Sequence, residues 1–166
     1  MLAVWDLNSR RQLKHCKLES GGDAIAFSNS GKFLVLGFLN GTMLALDENF
    51  NALSKRRDRA GVAIQCLKFS PDDKILAAGG HDQLIMTYDV TRNFKPMKKL
   101  RGNDTTIWQM DFAQDSQQLV CDSMTYWNTQ TGKRNAHGPS QNKDEPWYTW
   151  TCRRGWAVNG IFPPCA

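Results

Sequence analysis

The chain has 166 residues, of which 41% are hydrophobic and 22% charged, with a net charge of +5 and a pI near 9.0. Those values describe one globular domain, and no stretch approaches the roughly 18 consecutive apolar residues of a membrane helix. Five cysteines (Cys16, Cys66, Cys121, Cys152, Cys165), odd in number and without CxxC spacing, argue against a disulfide framework and against a zinc site.

In chain order, Val4-Trp5-Asp6-Leu7 reads as the end of a strand closing on an aromatic and an acid, with an outer strand expected over 12–18. Met1-Leu2-Ala3-Val4-Trp5-Asp6 does not read as a signal peptide, which predicts a cytosolic or nuclear protein. Residues 24–47 then give three short strands joined by tight turns. Asn40-Gly41 is the clearest hairpin signal in the chain, and 50–53 supplies a fourth strand. A charged connector over 54–61 carries the densest basic run, Lys55, Arg56, Arg57 and Arg59. Residues 63–90 repeat the pattern with strands over 63–69, 74–78 and 84–89. Ser70-Pro71-Asp72-Asp73 and Gly79-Gly80-His81-Asp82 are the turns, since Pro presets φ at the second turn position. Residues 97–100 close that unit. A third copy runs from 107 to about 134 with its second hairpin shortened. Residues 136–146 are polar and turn-rich, and the chain becomes aromatic again from Trp147.

These units are repeats. Phe27, Phe69 and Phe112 fall about 42 residues apart, within the roughly 40–45-residue period of a WD40 propeller blade. The closing pairs Trp5-Asp6, Leu46-Asp47, Tyr88-Asp89 and Trp127-Asn128 keep the same interval. The three phenylalanines are expected in the core. Residues 64–69 are apolar on both faces of the strand, as suits a sheet covered on each side by a neighbour. The fold class is therefore all-β: WD40-type β-propeller blades, about three of them complete, with partial blades at both ends. The expected units are the end of a blade over 1–19, a blade over 20–53, a basic connecting loop over 54–61, blades over 62–101 and 102–135, and a connection with the start of another blade over 136–166. Three blades do not close a ring of four to eight. The remaining blades of the same propeller are thus expected partners, and the chain on its own is expected to self-associate through bare edges and apolar faces.

Two stretches resemble one family in particular. Leu76-Ala77-Ala78-Gly79-Gly80-His81-Asp82-Gln83-Leu84-Ile85 is similar to an LAxGSHDxxI segment of the echinoderm microtubule-associated protein-like family. Trp147-Tyr148-Thr149-Trp150-Thr151-Cys152, followed by Gly155 and Gly160-Ile161-Phe162-Pro163, resembles that family's W-x-T-W-T-C tail. The tail follows a blade ending in Thr125-Tyr126-Trp127-Asn128 and Gly132-Lys133, as it does there. The resemblance implies a piece of the second of two tandem propellers in a tubulin- and microtubule-binding protein. It also implies a cytoplasmic, cytoskeletal location, on ciliary or spindle microtubules among others. Gly102-Asn103 stands where WD40 repeats often carry Gly-His, and the turn acid is expected to be replaced by Leu39 in the first blade and His81 in the second.

Each candidate site has a plainer use. His81-Asp82 reads as a hairpin turn with no nucleophile near it in sequence, and His15-Cys16 lacks a second pair at metal spacing. Lys55, Arg56, Arg57 and Arg59 offer a contact for an acidic partner, set against their use as a solvated connector. Trp147, Tyr148, Trp150 and Trp156 suit packing between blades more than a binding surface. Asn40-Gly41-Thr42 and Asn103-Asp104-Thr105 match the glycosylation sequon, which a cytosolic chain does not meet. No triad, carboxylate pair or metal set appears, so no catalytic residue, cofactor or metal is assigned and no enzyme is expected. The positive charge favours acidic tubulin tails, and it lacks the aromatic–basic interleaving of a nucleic-acid binder. Two readings stand: a cytoskeletal scaffold binding tubulin, and a general WD40 adaptor for other proteins.

Overall fold

A computed structural model describes residues 1–141 and 145–152. Strands β1 (Leu2–Asp6) and β2 (Arg11–Cys16) form an antiparallel hairpin. Three four-stranded antiparallel meanders follow. The first blade is β3 (Gly22–Phe27), β4 (Leu34–Phe38), β5 (Met43–Leu46) and β6 (Ala52–Arg56). The central blade is β7 (Ile64–Phe69), β8 (Ile75–Gly80), β9 (Ile85–Asp89) and β10 (Lys95–Leu100). The third is β11 (Met110–Phe112), β12 (Gln118–Cys121), β13 (Tyr126–Asn128) and β14 (Arg134–Asn135). The helical pieces among the described residues are a 3₁₀ turn over Val90–Arg92 and the single-turn α1 over Gly138–Gln141.

The register explains the repeat. Each anchor phenylalanine ends an inner strand and pairs with a leucine on the next: Phe27 with Leu34, Phe69 with Leu76, Phe112 with Leu119. Each leucine in turn faces the residue before the closing acid or amide: Leu46, Tyr88 and Trp127. The step from Leu119 to Trp127 is four residues shorter than its counterparts, so the expected trimming of the third blade's second hairpin is real. The first turns repeat as well. Ser28 and Ser70 accept from Gly31 N and Asp73 N through their carbonyls, and their hydroxyls accept from Phe33 N and Ile75 N.

Neighbouring blades interlock through glycine. A Cβ at Gly37 would lie 2.6 Å from Ile64 Cγ2, and one at Gly79 would lie 2.5 Å from Ile107 Cγ2. Each isoleucine is fully buried in the hollow left on the preceding blade's second strand. One core, with Val35, Met43, Ile64, Leu76, Met86 and Tyr88, joins the first blade to the central one. A second, with Ile85, Ile107, Met110, Phe112, Leu119 and Trp127, joins the central blade to the third.

Two expectations are corrected. Phe69 and Phe112 are buried, but Phe27 is 56% exposed, as is Ile25 two residues before it. The strand alternates, so Ala24 and Ala26 face the central blade while Ile25 and Phe27 face away. On that far side Leu2 and Leu18 pack beside Leu34, Leu36, Phe38 and Leu46, over β4 and β5 rather than over β3. The first blade's outer strand is also displaced. It occupies Ala52–Arg56 instead of 50–53, because Asp47 accepts backbone bonds from Asn49 and Asn51 and holds the chain in a longer turn, with Phe50 at φ 63°. Ser54, Lys55 and Arg56 therefore belong to a strand.

Candidate interaction surface

A meander sends its connections alternately to the two ends of the sheet. The blade-to-blade connectors therefore share one end with the second hairpin of each blade. At this end the connector after β6 folds back on two hairpins at once. Gly61 N and Arg57 Nε donate to the Asn40 carbonyl (3.0 and 3.3 Å). Gly41, at φ 81°, packs its α-carbon against the Arg59 carbonyl, where no side chain fits. Arg59 then reaches the next blade: Nε and Nη2 donate to the Asp82 carboxylate, and Nη1 donates to the Ala78 carbonyl (3.1 Å).

The four basic residues thus separate. Lys55 is exposed and paired with Glu19, Arg56 is half-buried and paired with Asp58 (3.0 Å), and Arg57 is exposed. Arg59 is buried, a clamp between blades and not a solvated connector, and burial pushes its pKa down. Beside this group burial pushes the Tyr88 hydroxyl up to about 12; the Asp58 charge adds to the shift, and Arg59 and Arg56 oppose it.

The turn acid also lies one residue later than expected. Asp82 Oδ1 accepts from Leu84 N, as Asn40 Oδ1 accepts from Thr42 N one repeat earlier, so His81 is not a substitute for it. His81 instead stands exposed against Trp108, in a T-shaped contact at 5.6 Å, with Nδ1 3.4 Å from Thr106 Oγ1. In the Gly-His position, buried Asn103 links two blades. Its Nδ2 donates to the Gln83 carbonyl (2.9 Å), and its Oδ1 accepts from Trp127 Nε1 (3.4 Å) and Cys121 Sγ (3.3 Å).

The aromatic tail is anchored by a residue that sequence reasoning passed over. Buried Asp111 accepts from Thr149 N and Oγ1, from Trp150 N at 2.6 Å, and from Phe112 N. Tyr148 N donates to the Phe112 carbonyl, which lays this segment along the free inner edge of β11. Trp147 is buried with Ala113, Val120, Tyr126 and Cys152, as the packing reading expects, while Tyr148 is partly exposed. Trp156, Gly155 and the stretch 160–163 lie outside the described residues. Among the described residues no three His, Cys, Asp or Glu side chains converge to hold a metal.

Repeated four-stranded sheets interlocked by their inner strands, with connectors and hairpins gathered at one end, define a WD40-type β-propeller segment. The WD40 repeats of RRP9 superimpose with a TM-score of 0.67 over 72% of this chain and 39% of that one, at 13% identity, so the likeness is one of fold. The chain belongs to the echinoderm microtubule-associated protein family: the family's second beta-propeller matches residues 1–166. The human echinoderm microtubule-associated protein-like 2 is 30% identical over 169 residues, covering 98% of this chain and 26% of that protein. The 77 kDa echinoderm microtubule-associated protein of Strongylocentrotus purpuratus is 26% identical over 167 residues, covering 96% of this chain and 24% of that protein. The chain thus spans about a quarter of the length of these relatives.

Proposed function

We propose that this chain is a non-catalytic scaffold segment of a cytoplasmic, cytoskeletal protein that binds tubulin or microtubules. The observation that carries the reading is the match of the family's second beta-propeller across the whole of 1–166. The structure supports a scaffold in that its conspicuous polar groups, Arg59, Asp82, Asn103 and Asp111, join blades and segments to one another. Lys55 and Arg57 remain exposed to a partner, with Arg56 beside them, whereas Arg59 is committed to the interior.

The test is co-sedimentation of the intact protein with microtubules, together with capture of soluble tubulin. Binding that weakens with salt is expected, because the Debye length falls from about 10 Å at 0.1 M to about 3 Å at 1 M. Reversing Lys55, Arg56 and Arg57 to Glu should have only a small effect, since two of the three already face carboxylates. Absence of binding to tubulin in any form would overturn this reading in favour of a general WD40 adaptor.

A further inference from the structure

We propose that the outer edges of the central and third blades form a docking ridge for an acidic, extended polypeptide. Lys98 and Lys99 on β10, Arg101 just beyond it, and Lys133 and Arg134 at β14 are all exposed there. They come from segments about 35 residues apart in the chain, at close to the repeat period, and the packing of successive blades brings the end of β10 beside β14, where Lys98 meets Gly132 and Arg134 meets Gly102. The Lys98 stem lies over Gly132, where a Cβ would stand 3.3 Å from Lys98 Cδ. Arg134 Nη1 donates to the Gly102 carbonyl (2.9 Å), which holds the two edges together.

The charge on this ridge is unbalanced. Among the described residues the ion pairs are Lys55–Glu19, Arg56–Asp58, Arg59–Asp82, Lys74–Asp72 and Arg92–Asp89, and none includes a ridge residue. The basic connector, the more obvious feature in sequence, is largely neutralised, and the ridge is not. Lysines on an outer strand, with Pro96 among them, also deter stray strand pairing. That accounts for single lysines at an edge. It does not account for five exposed cations across two blades, none of which joins an ion pair among the described residues. Clustered like charges repel one another, and a polyanion relieves the repulsion while being drawn in at long range.

The features of the ridge favour carboxylates over nucleic acid. The large exposed apolar side chain in β10 is Met97, and no exposed aromatic accompanies the five cations among the described residues. Single-stranded nucleic acid binders rely on aromatic platforms for the bases. An extended chain fits because the cations follow strand edges, which advance about 3.3 Å per residue. This inference depends on the tubulin-binding reading only for the natural identity of the partner, and its test does not use tubulin.

The experiment measures fluorescence anisotropy of a labelled oligoglutamate peptide titrated with the intact protein at low salt. Two variants carry the same change in net charge: Lys98→Glu/Lys99→Glu/Lys133→Glu on the ridge, and Lys55→Glu/Arg56→Glu/Arg57→Glu on the connector. The ridge variant should bind about tenfold more weakly or worse, and the connector variant within about threefold of wild type. If the ridge variant is unfolded by circular dichroism, Lys98→Gln/Lys99→Gln/Lys133→Gln gives the same readout with a smaller loss. Equal weakening by both variants would reduce the effect to net charge and overturn the proposal, as would weakening by neither. Tighter binding of a single-stranded RNA oligomer or an anionic phospholipid vesicle than of oligoglutamate, lost with the same ridge variant, would also overturn it. Oligoglutamate binding with no tubulin binding would sink the functional reading and leave the ridge standing.

Discussion

The Arg59–Asp82 pair makes an asymmetric prediction. The Arg59 side chain is 2% exposed and that of Asp82 28%. Asp82→Ala leaves a guanidinium buried without its counter-charge, and breaking a buried pair in this way costs about 3–5 kcal/mol. It also removes the acceptor for Leu84 N in the β8–β9 turn, worth about 1 kcal/mol, so the loss should lie near the top of that range. Arg59→Ala leaves a carboxylate that water already reaches and removes one donor to the Ala78 carbonyl, and should cost about 2 kcal/mol. The double variant removes the stranded charge along with its partner, so it should cost clearly less than the sum of the two single changes. Urea unfolding followed by tryptophan fluorescence measures all three. If Arg59→Ala proves costlier than Asp82→Ala, or the two add, Arg59 is solvated and the clamp between blades is wrong.

Truncating the anchor phenylalanines should split them. Phe69→Ala and Phe112→Ala should each cost about 3–5 kcal/mol, and Phe27→Ala under about 1 kcal/mol in the 166-residue chain, as read by the same unfolding assay. Gly79→Ala should cost about 1–3 kcal/mol by overpacking Ile107, and much of that should be recovered when combined with Ile107→Ala. Asp111→Asn should free the segment 147–152, seen as faster proteolysis there and a red-shifted tryptophan emission, because the amide cannot accept all of its present donors. Burial pushes the Cys66 thiol up to about 11, so alkylation should be negligible at pH 7–8 in the folded protein. The rate should rise only as pH approaches 11 or on unfolding; rapid labelling at neutral pH would mean that the interface between the central and third blades is open.

Much of the fold was legible in sequence because a blade is a local object. Its strands are consecutive, its turns short, and its register follows from the spacing of Phe69, Leu76 and Tyr88, which recurs at Phe112, Leu119 and Trp127 with the hairpin trimmed. The family was legible for a related reason: a tail such as Trp147-Tyr148-Thr149-Trp150-Thr151-Cys152 is specific as a string of letters. The candidate surface was not, because it depends on which segments of different blades come side by side. A run of four basic residues looks like one feature until its partners are known. Glu19, Asp58 and Asp82 sit at unrelated separations from it, and they divide it into two neutralised side chains, one exposed cation and one buried clamp. The ridge shows the converse, since Lys98 and Lys133 are unremarkable in the sequence and become one charged surface only when the third blade packs on the central one. Phe27 shows the same limit in the core. Its letter and register match those of Phe69, but burial also requires a neighbouring sheet over that face, and here β1 and β2 cover β4 and β5 instead. Pairing within a blade is thus set by sequence periodicity, whereas burial and charge balance are set between blades, where only the tertiary arrangement decides which atoms exclude water.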